Sequence, residues 1–327
     1  MKVLIISTKK KRYGGKIYEN MAETALSSEF KVESINVYPG GNKFKILKAP
    51  LMLWELFKIS KRKDIDFAIK DFTASLFLNK KPVKNITIVH HIDDSYIPLL
   101  AKITSYFLEK IIFSKVRKFD AIVVVSEYWK EYFRKRGYKN VYVIYNAFDL
   151  NNLDFSLDEV EEFKRRYNLT KKPIIYIGNC QKGKGVIESY QALKDLDVYL
   201  ITSGIPQIKP PSINLILENK EYLKLLKASA VVVTMSKFKE GWCRTAHEAM
   251  LCKTPVIGSG LGGMRELLEG GRQIVCPDFN SLREKVEYLL NNPEIRKKIG
   301  EDGFNFAKNF TFEKFKKDWI DLIKKLA

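Results

Sequence analysis

Short, unbroken apolar runs alternate with helical stretches along the whole of this 327-residue chain, and that alternation constrains the fold most. KVLIIS, AIVVV, IIYI and AVVVT show no polar/apolar alternation. A strand with one wet face alternates, whereas a parallel strand covered by helices on both faces reads as a continuous apolar run. Strands are expected at Lys2–Ser7, Val32–Val37, Asp66–Ile69, Asn85–Val89, Ala121–Val125 and Val141–Ile144. A second series is expected at Ile174–Ile177, Val198–Thr202, Asn214–Leu217, Ala230–Thr234, Pro255–Gly258 and Gln273–Val275. Helical patterns such as Pro50–Arg62, Leu100–Lys118, Tyr128–Arg136 and Leu282–Leu290 lie between them. Strand–helix–strand units with right-handed crossovers follow, and two series predict two doubly wound parallel α/β sheets. The break falls near residues 148–172, where YVIYNAFD gives way to a polar helix, Leu157–Tyr167, and then NLTKKP. The expected division is an N-terminal domain over 1–150, a linker over 151–172 and a second domain over 173–310.

Hydrophobic residues at 46% and aromatics at 12% suffice for two cores and exclude a disordered or fibrous chain. No apolar run approaches the roughly 18–20 residues needed to span a bilayer. The opening MKVLIISTKKKRYGG has too short an apolar stretch for a secretory signal, so a cytoplasmic protein is expected. Cys180, Cys243, Cys252 and Cys276 form no CxxC pair, and His90, His91 and His247 no zinc pattern. Reduced thiols and no protein-borne metal are the expectation.

Formal charge is +19, and residues 1–150 hold 28 Lys and Arg against 15 Asp and Glu, a net of +13. Such a field draws anionic partners. No motif that reads RNA or DNA accompanies it, so nucleic acid is not among the expected partners. The segment PLMLWELFKISKRK (residues 50–63) admits two readings. One is an interfacial helix on anionic lipid, giving peripheral contact at the inner membrane face; the other, favoured on sequence, is a helix covering the sheet ahead of DFAIKD.

Ligands of open α/β sheets bind beyond the carboxyl ends of the strands, which directs attention to two loops of the second half. In YIGNCQKGKGVIESYQAL (residues 176–193) a strand ends in a Gly/Lys-rich loop that opens a helix. Glycines let backbone approach a phosphate, and a helix N-terminus offers N–H groups to it. Lys182 or Lys184 could supply the counter-charge; the spacing is not that of a Walker loop. In TMSKFKEGWCRTAHEAMLCKTPVIGSGLGGMREL (residues 234–267), Glu240 ends a loop and Glu248 lies eight positions on, in a helix. A glycine loop, Gly260–Gly263, follows the buried run PVIG. Carboxylates there can accept hydrogen bonds from the vicinal hydroxyls of a sugar and a ribose.

EGWCRTAHEAMLCKTPVIGSGLGGMRELL resembles the signature of the retaining glycosyltransferases of family 4, which have the GT-B fold. The match rests on Glu240, Glu248, Pro255, Gly262, Gly263 and Glu266, a Glu-x7-Glu pair followed by a PVI strand and a GG-x-x-E loop. It extends to IYIGNCQKGKG, to VVVVSEYWKEYFRKRGYKNVYVIYNAFD and to the closing helices. The resemblance implies two Rossmann-like domains facing a cleft, with residues 311–327 returning to the N-terminal domain. It implies transfer of a sugar from a nucleotide-diphosphate sugar, UDP- or GDP-linked, with retention and without a metal or cofactor. Glu240 would hold the donor sugar's hydroxyls, Glu248 the ribose, and Lys184 the leaving diphosphate. Trp242, Cys243 and Arg244 would contribute backbone contacts. The chain departs from the pattern at Asn179, where the family has Arg and where Lys182 could substitute. It departs also at Trp242–Cys243, where the family has Phe-Gly, and at Thr202–Ser203–Gly204 in place of Gly-x-Gly.

In the first half, Gly14 and Gly15 resemble the family's Gly-Gly turn after the first strand, with Gly15 near the donor phosphate or the acceptor. His90 aligns best with the family's cleft histidine, and His91 and Asp93 are expected acceptor contacts. The acceptor would be a carbohydrate or a lipid-linked sugar. A non-catalytic protein that binds nucleotide or sugar on the same scaffold is the alternative reading, motivated by the departures at Asn179 and Trp242–Cys243.

Overall fold

A computed structural model describes residues 1–9, 14–38, 45–92, 99–153 and 155–327, with side chains undescribed at 45–49, 99–106 and 151–152. The chain divides into two compact units, Met1–Ala147 with Phe312–Ala327, and Phe148–Thr311. Asp93 lies outside the described residues.

The first unit holds β1 (Lys2–Ser7), β2 (Lys31–Asn36), β3 (Phe67–Asp71), β4 (Lys84–Val89), β5 (Ala121–Val124) and β6 (Val141–Val143). Its helices are α1 (Gly14–Ser27), α2 (Lys45–Ile59), α3 (Leu99–Val116) and α4 (Glu127–Arg134). Among the described residues these strands form one parallel sheet in the order β2-β1-β3-β4-β5-β6. Direction across the sheet reverses after β2, so right-handed crossovers place α1 on one face and α2, α3 and α4 on the other. Leu56 and Ile59 of α2 bury against Leu4, Ile6 and Ala68. Trp129 and Phe133 of α4 pack on Ile122, Val124 and Val141.

The second unit holds α5 (Leu157–Arg166), β7 (Ile174–Asn179), α6 (Val186–Leu193), β8 (Tyr199–Ser203), β9 (Ile213–Leu215), α7 (Asn219–Ala228) and β10 (Val231–Thr234). Then come α8 (Arg244–Leu251), β11 (Val256–Gly258), α9 (Gly263–Gly270), β12 (Ile274–Val275), α10 (Leu282–Asn291) and α11 (Pro293–Ala307). Helix α5 starts with a capping box: Ser156 Oγ accepts from Glu159 N at 3.2 Å, and Glu159 Oε2 accepts from Ser156 N at 3.1 Å. The parallel sheet runs β12-β11-β10-β7-β8-β9. Ile175, Ile177, Val233 and Ile257 of its central strands meet Val186, Leu282 and Val286 in the core. The final helix, α12 (Phe312–Leu326), packs on α1 in the first unit, with Tyr18 edge-on to Phe315 at 5.1 Å.

Every expected strand forms, with ends within two residues of those read from the sequence. Helix α2 differs more: it begins five residues before Pro50, which lies inside it.

Candidate functional site

Strand order in the second unit reverses between β7 and β10, which makes the loops leaving these two neighbours the topological switch point of its sheet. The first of these loops carries Lys184 and the second carries Glu240. They meet: Lys184 Nζ donates to Glu240 Oε1 at 2.6 Å, and Ser236 Oγ donates to the same oxygen at 2.5 Å. Glu240 is only 5% exposed, whereas the Lys184 side chain keeps 26% of its surface open. A buried carboxylate needs such partners, and a quarter-exposed ammonium can still reach an incoming anion. Lys184 Nζ also sits 5.0 Å from the Phe238 ring centre.

Two glycines make this meeting possible. Gly185 has φ +66°, and a Cβ there would lie 2.1 Å from the Met235 carbonyl oxygen, so the loop bearing Lys184 lies directly on the loop leading to Glu240. The Gly183 carbonyl accepts from Lys237 N at 2.9 Å to close the same contact. Gly262 has φ +69° and ψ −140°, a region open in practice to glycine alone, and its Cβ would lie 2.5 Å from the Glu240 carbonyl oxygen. Around it, Glu240 N donates to Leu261 O at 3.1 Å and Gly263 N to Glu240 O at 2.9 Å. The glycine loop therefore holds the Glu240 backbone as an added parallel bridge.

Glu248 lies on α8, where Arg244 one turn back donates to its Oε1 at 3.2 Å. Burial holds the Glu248 carboxyl above its usual range, and the Arg244 guanidinium draws it back down. Tyr222 stands close by, its hydroxyl donating to Thr245 Oγ1 at 3.2 Å and burial holding its pKa up. Arg244 also lies 4.4 Å over the Phe148 ring, so both its charge and its plane are positioned.

The residues that depart from the family pattern have defined surroundings. Position 243 sits at φ +64°, a left-handed conformation that costs a non-glycine residue roughly 1–2 kcal/mol. The cysteine there is buried, and burial with the nearby Glu240 charge pushes its thiol up to about 12. Trp242 is buried, its indole Nε1 donating to His247 Nδ1 at 3.1 Å. His247 therefore carries its proton on Nε2 and donates to Ala307 O at 3.1 Å. Stacking on Phe148 at 3.8 Å completes its burial, which lowers its pKa to about 3. Asn179 Oδ1 accepts from Ser203 Oγ at 3.5 Å and lies against Gly204. Lys182 is exposed, two residues from Lys184.

In the first unit, Gly15 lies in the first turn of α1 beside His90: a Cβ on it would lie 3.0 Å from His90 Cδ2 and 2.7 Å from Lys9 Nζ. Tyr18 meets His90 edge-on at 5.0 Å. Lys9 Nζ is 2.9 Å from Oε1 of the buried Glu19, with Lys16 Nζ 3.7 Å from the other oxygen. His91 is exposed. Sequence reasoning missed Ser236, Lys9 and Glu19. Ser236 lies in the quoted loop without a spacing to mark it, and Glu19 reads as an ordinary helix carboxylate until Lys9 is folded over it. Among the described residues no group of His, Cys, Asp or Glu is arranged to hold a metal, and no helix is long and apolar enough to cross a membrane.

Residues 16–152 match the model of Glycosyltransferase Family 4, and residues 210–306 that of Glycosyl transferases group 1. An uncharacterized glycosyltransferase, MJ1178, of Methanocaldococcus jannaschii is 28% identical over 211 residues, 60% of this chain and 56% of the relative. The chain spans about half the length of the curated relatives it matches. Sucrose-phosphate synthase from Thermosynechococcus elongatus superposes with a TM-score of 0.79 at 18% identity, covering 99% of this chain and 98% of that one. Anabaena Alr3699/HepE in complex with UDP-glucose gives 0.79 at 15% identity, covering 99% and 100%. These likenesses are to the GT-B fold, two Rossmann-like parallel-sheet domains.

Proposed function

The chain belongs to the group 1, family 4 glycosyltransferases of GT-B fold, and on that premise we propose that it moves a sugar from a nucleoside-diphosphate sugar to an acceptor hydroxyl. The observation that carries this reading is the contact of Lys184 with Glu240 at 2.6 Å beyond the carboxyl ends of β7 and β10. In the reaction the bond from the anomeric carbon to the diphosphate oxygen breaks and a bond to the acceptor oxygen forms. The acceptor's proton leaves with the departing phosphate. Lys184 neutralises the charge that develops on the diphosphate, and Glu240 accepts hydrogen bonds from the donor sugar while keeping Lys184 in place. Glu248, steadied by Arg244, accepts from the ribose hydroxyls. Backbone amides over Trp242–Arg244 contact the sugar or phosphate; the Trp242 side chain is committed to His247.

Because an ammonium does the neutralising, we propose a metal-independent reaction; the family resemblance adds retention of anomeric configuration, with attack from the face the leaving group vacates. The donor is a UDP- or GDP-sugar; the UDP-glucose complex of the Anabaena protein favours testing UDP first. Gly15 and His90, with His91 and Asp93, belong to the unit that would receive a carbohydrate or lipid-linked acceptor. A cytoplasmic site of action fits such a donor.

A thermal-shift series with UDP-, GDP- and ADP-sugars tests donor binding, since a ligand at a hundredfold excess over its Kd adds about 2.7 kcal/mol of stability. Glu240→Ala should then lose transfer while keeping a cooperative melt, and undiminished transfer by that variant refutes the assignment. Donor that binds yet is neither transferred nor slowly hydrolysed would instead mark a binding protein.

A further inference from the structure

We propose that the face of the first unit bearing α2 and α3 docks on an anionic lipid bilayer. For Pro50–Lys63 the sequence favours a helix covering the sheet over one lying at a lipid interface; α2 has a face for each. Met52, Leu56 and Ile59 point into the core. On the opposite side Leu51 is 65% and Trp54 55% exposed, with Leu53 and Phe57 exposed beside them. Trp54 and Phe57 stack at 5.8 Å on this outer surface.

Helix α3 lies on the same face of the sheet by the handedness of its crossover and exposes Phe107, Leu108 and Ile111. The two helices are linked through the 3-10 turn Ala74–Leu76: Phe57 meets Phe77 at 6.0 Å, and α3 packs on the turn. An exposed apolar surface of this kind marks an interaction site rather than scattered surface residues.

Its lysines decide the partner. Lys58 Nζ, which also pairs with Glu55 at 3.0 Å, lies 5.6 Å from the Trp54 ring centre and Lys61 Nζ 4.6 Å from that of Phe57, so ammonium groups stand over the outward rings. The cores of protein–protein interfaces are depleted in lysine, whereas an interfacial helix combines Trp, Phe and Leu with lysines that reach the headgroups. The net charge of +13 over residues 1–150 supplies the long-range attraction.

The chain carries its own reporter. Of its four tryptophans, Trp129, Trp242 and Trp319 are buried, so quenching by acrylamide reads Trp54. Vesicles of phosphatidylcholine with phosphatidylglycerol should shift its emission to the blue and shield it from acrylamide, and the protein should sediment with them. Pure phosphatidylcholine vesicles should do neither. Lys58→Glu/Lys61→Glu should weaken sedimentation by at least about 25-fold, since each lysine near an anionic surface is worth about fivefold. Trp54→Phe should remove the fluorescence change and keep sedimentation; unchanged melting temperatures show that both variants fold. A Trp54 as quenchable with anionic vesicles as without, equal binding to pure phosphatidylcholine, or wild-type binding by the double-lysine variant overturns the proposal. No donor or acceptor enters this assay, so its outcome is independent of the transfer reaction.

Discussion

Lys184→Ala separates what the Lys184–Glu240 pair does for the fold from the role in transfer proposed for it. At 2.6 Å two unit charges attract by about 6 kcal/mol at an effective dielectric near 20. Desolvation of both groups opposes this, and the quarter-exposed lysine is partly screened. The variant leaves a buried carboxylate without its ammonium, and we expect a loss of about 2 kcal/mol, below the cost of breaking a fully buried pair. That lowers the melting temperature by roughly 4–8 °C in a unit of this size. Transfer should fall by about 10²–10³, the usual consequence of removing one preorganised stabiliser of developing charge. Adding Glu240→Gln removes the stranded charge, so the double variant should regain most of the lost stability and none of the activity. Calorimetric melts with transfer assays at saturating donor read both quantities. A double variant as unstable as the single one, or a Lys184→Ala enzyme with undiminished transfer, refutes the reasoning.

Gly262→Ala places a Cβ 2.5 Å from the Glu240 carbonyl oxygen at φ +69°, and a loss of about 3 kcal/mol with loss of transfer is expected in the same two assays. His247 is held neutral, with a folded pKa of about 3 against 6.5 unfolded. On acidification the unfolded chain takes up this proton first, so stability present above pH 6.5 is lost as pH falls towards 3. The loss from this group reaches about 3 kcal/mol by pH 4.5, and denaturant titrations of His247→Gln should show a correspondingly flatter slope in that window. Glu248 shifts the other way: burial raises its folded pKa, so its ionised form opposes folding at neutral pH. The stability of Glu248→Gln relative to wild type should therefore be highest at neutral pH and decline as pH falls into the carboxyl range, while binding of a nucleoside diphosphate weakens.

The two sheets were legible because their signal is local. VLIIS in β1 and VVVT in β10 are apolar on both faces, and only a strand covered on two sides is written that way. The loops of the candidate site were legible for a related reason: Gly185 and Gly262 stand where backbone meets backbone, and glycine is visible in a sequence. The outer face of α2 was harder to read. A run such as LMLWELF is apolar on several sides, and periodicity cannot say which side the sheet takes. Position 243 shows the opposite difficulty, since a cysteine gives no hint that its backbone is left-handed.

Sequence alone determined the order of strands and helices, the approximate ends of the strands, and the residue types placed at the strand ends, because each depends on neighbours a few positions away. Tertiary structure decided the partners: Ser236 and Lys184 on Glu240, Lys9 on Glu19, Trp242 on His247, and the side of α2 left to solvent. Lys184 and Glu240 are 56 residues apart, and nothing in local chemistry brings them together. Strand order does so by making β7 and β10 neighbours, so that an ammonium and a carboxylate share one low-dielectric corner where each is worth more than in water.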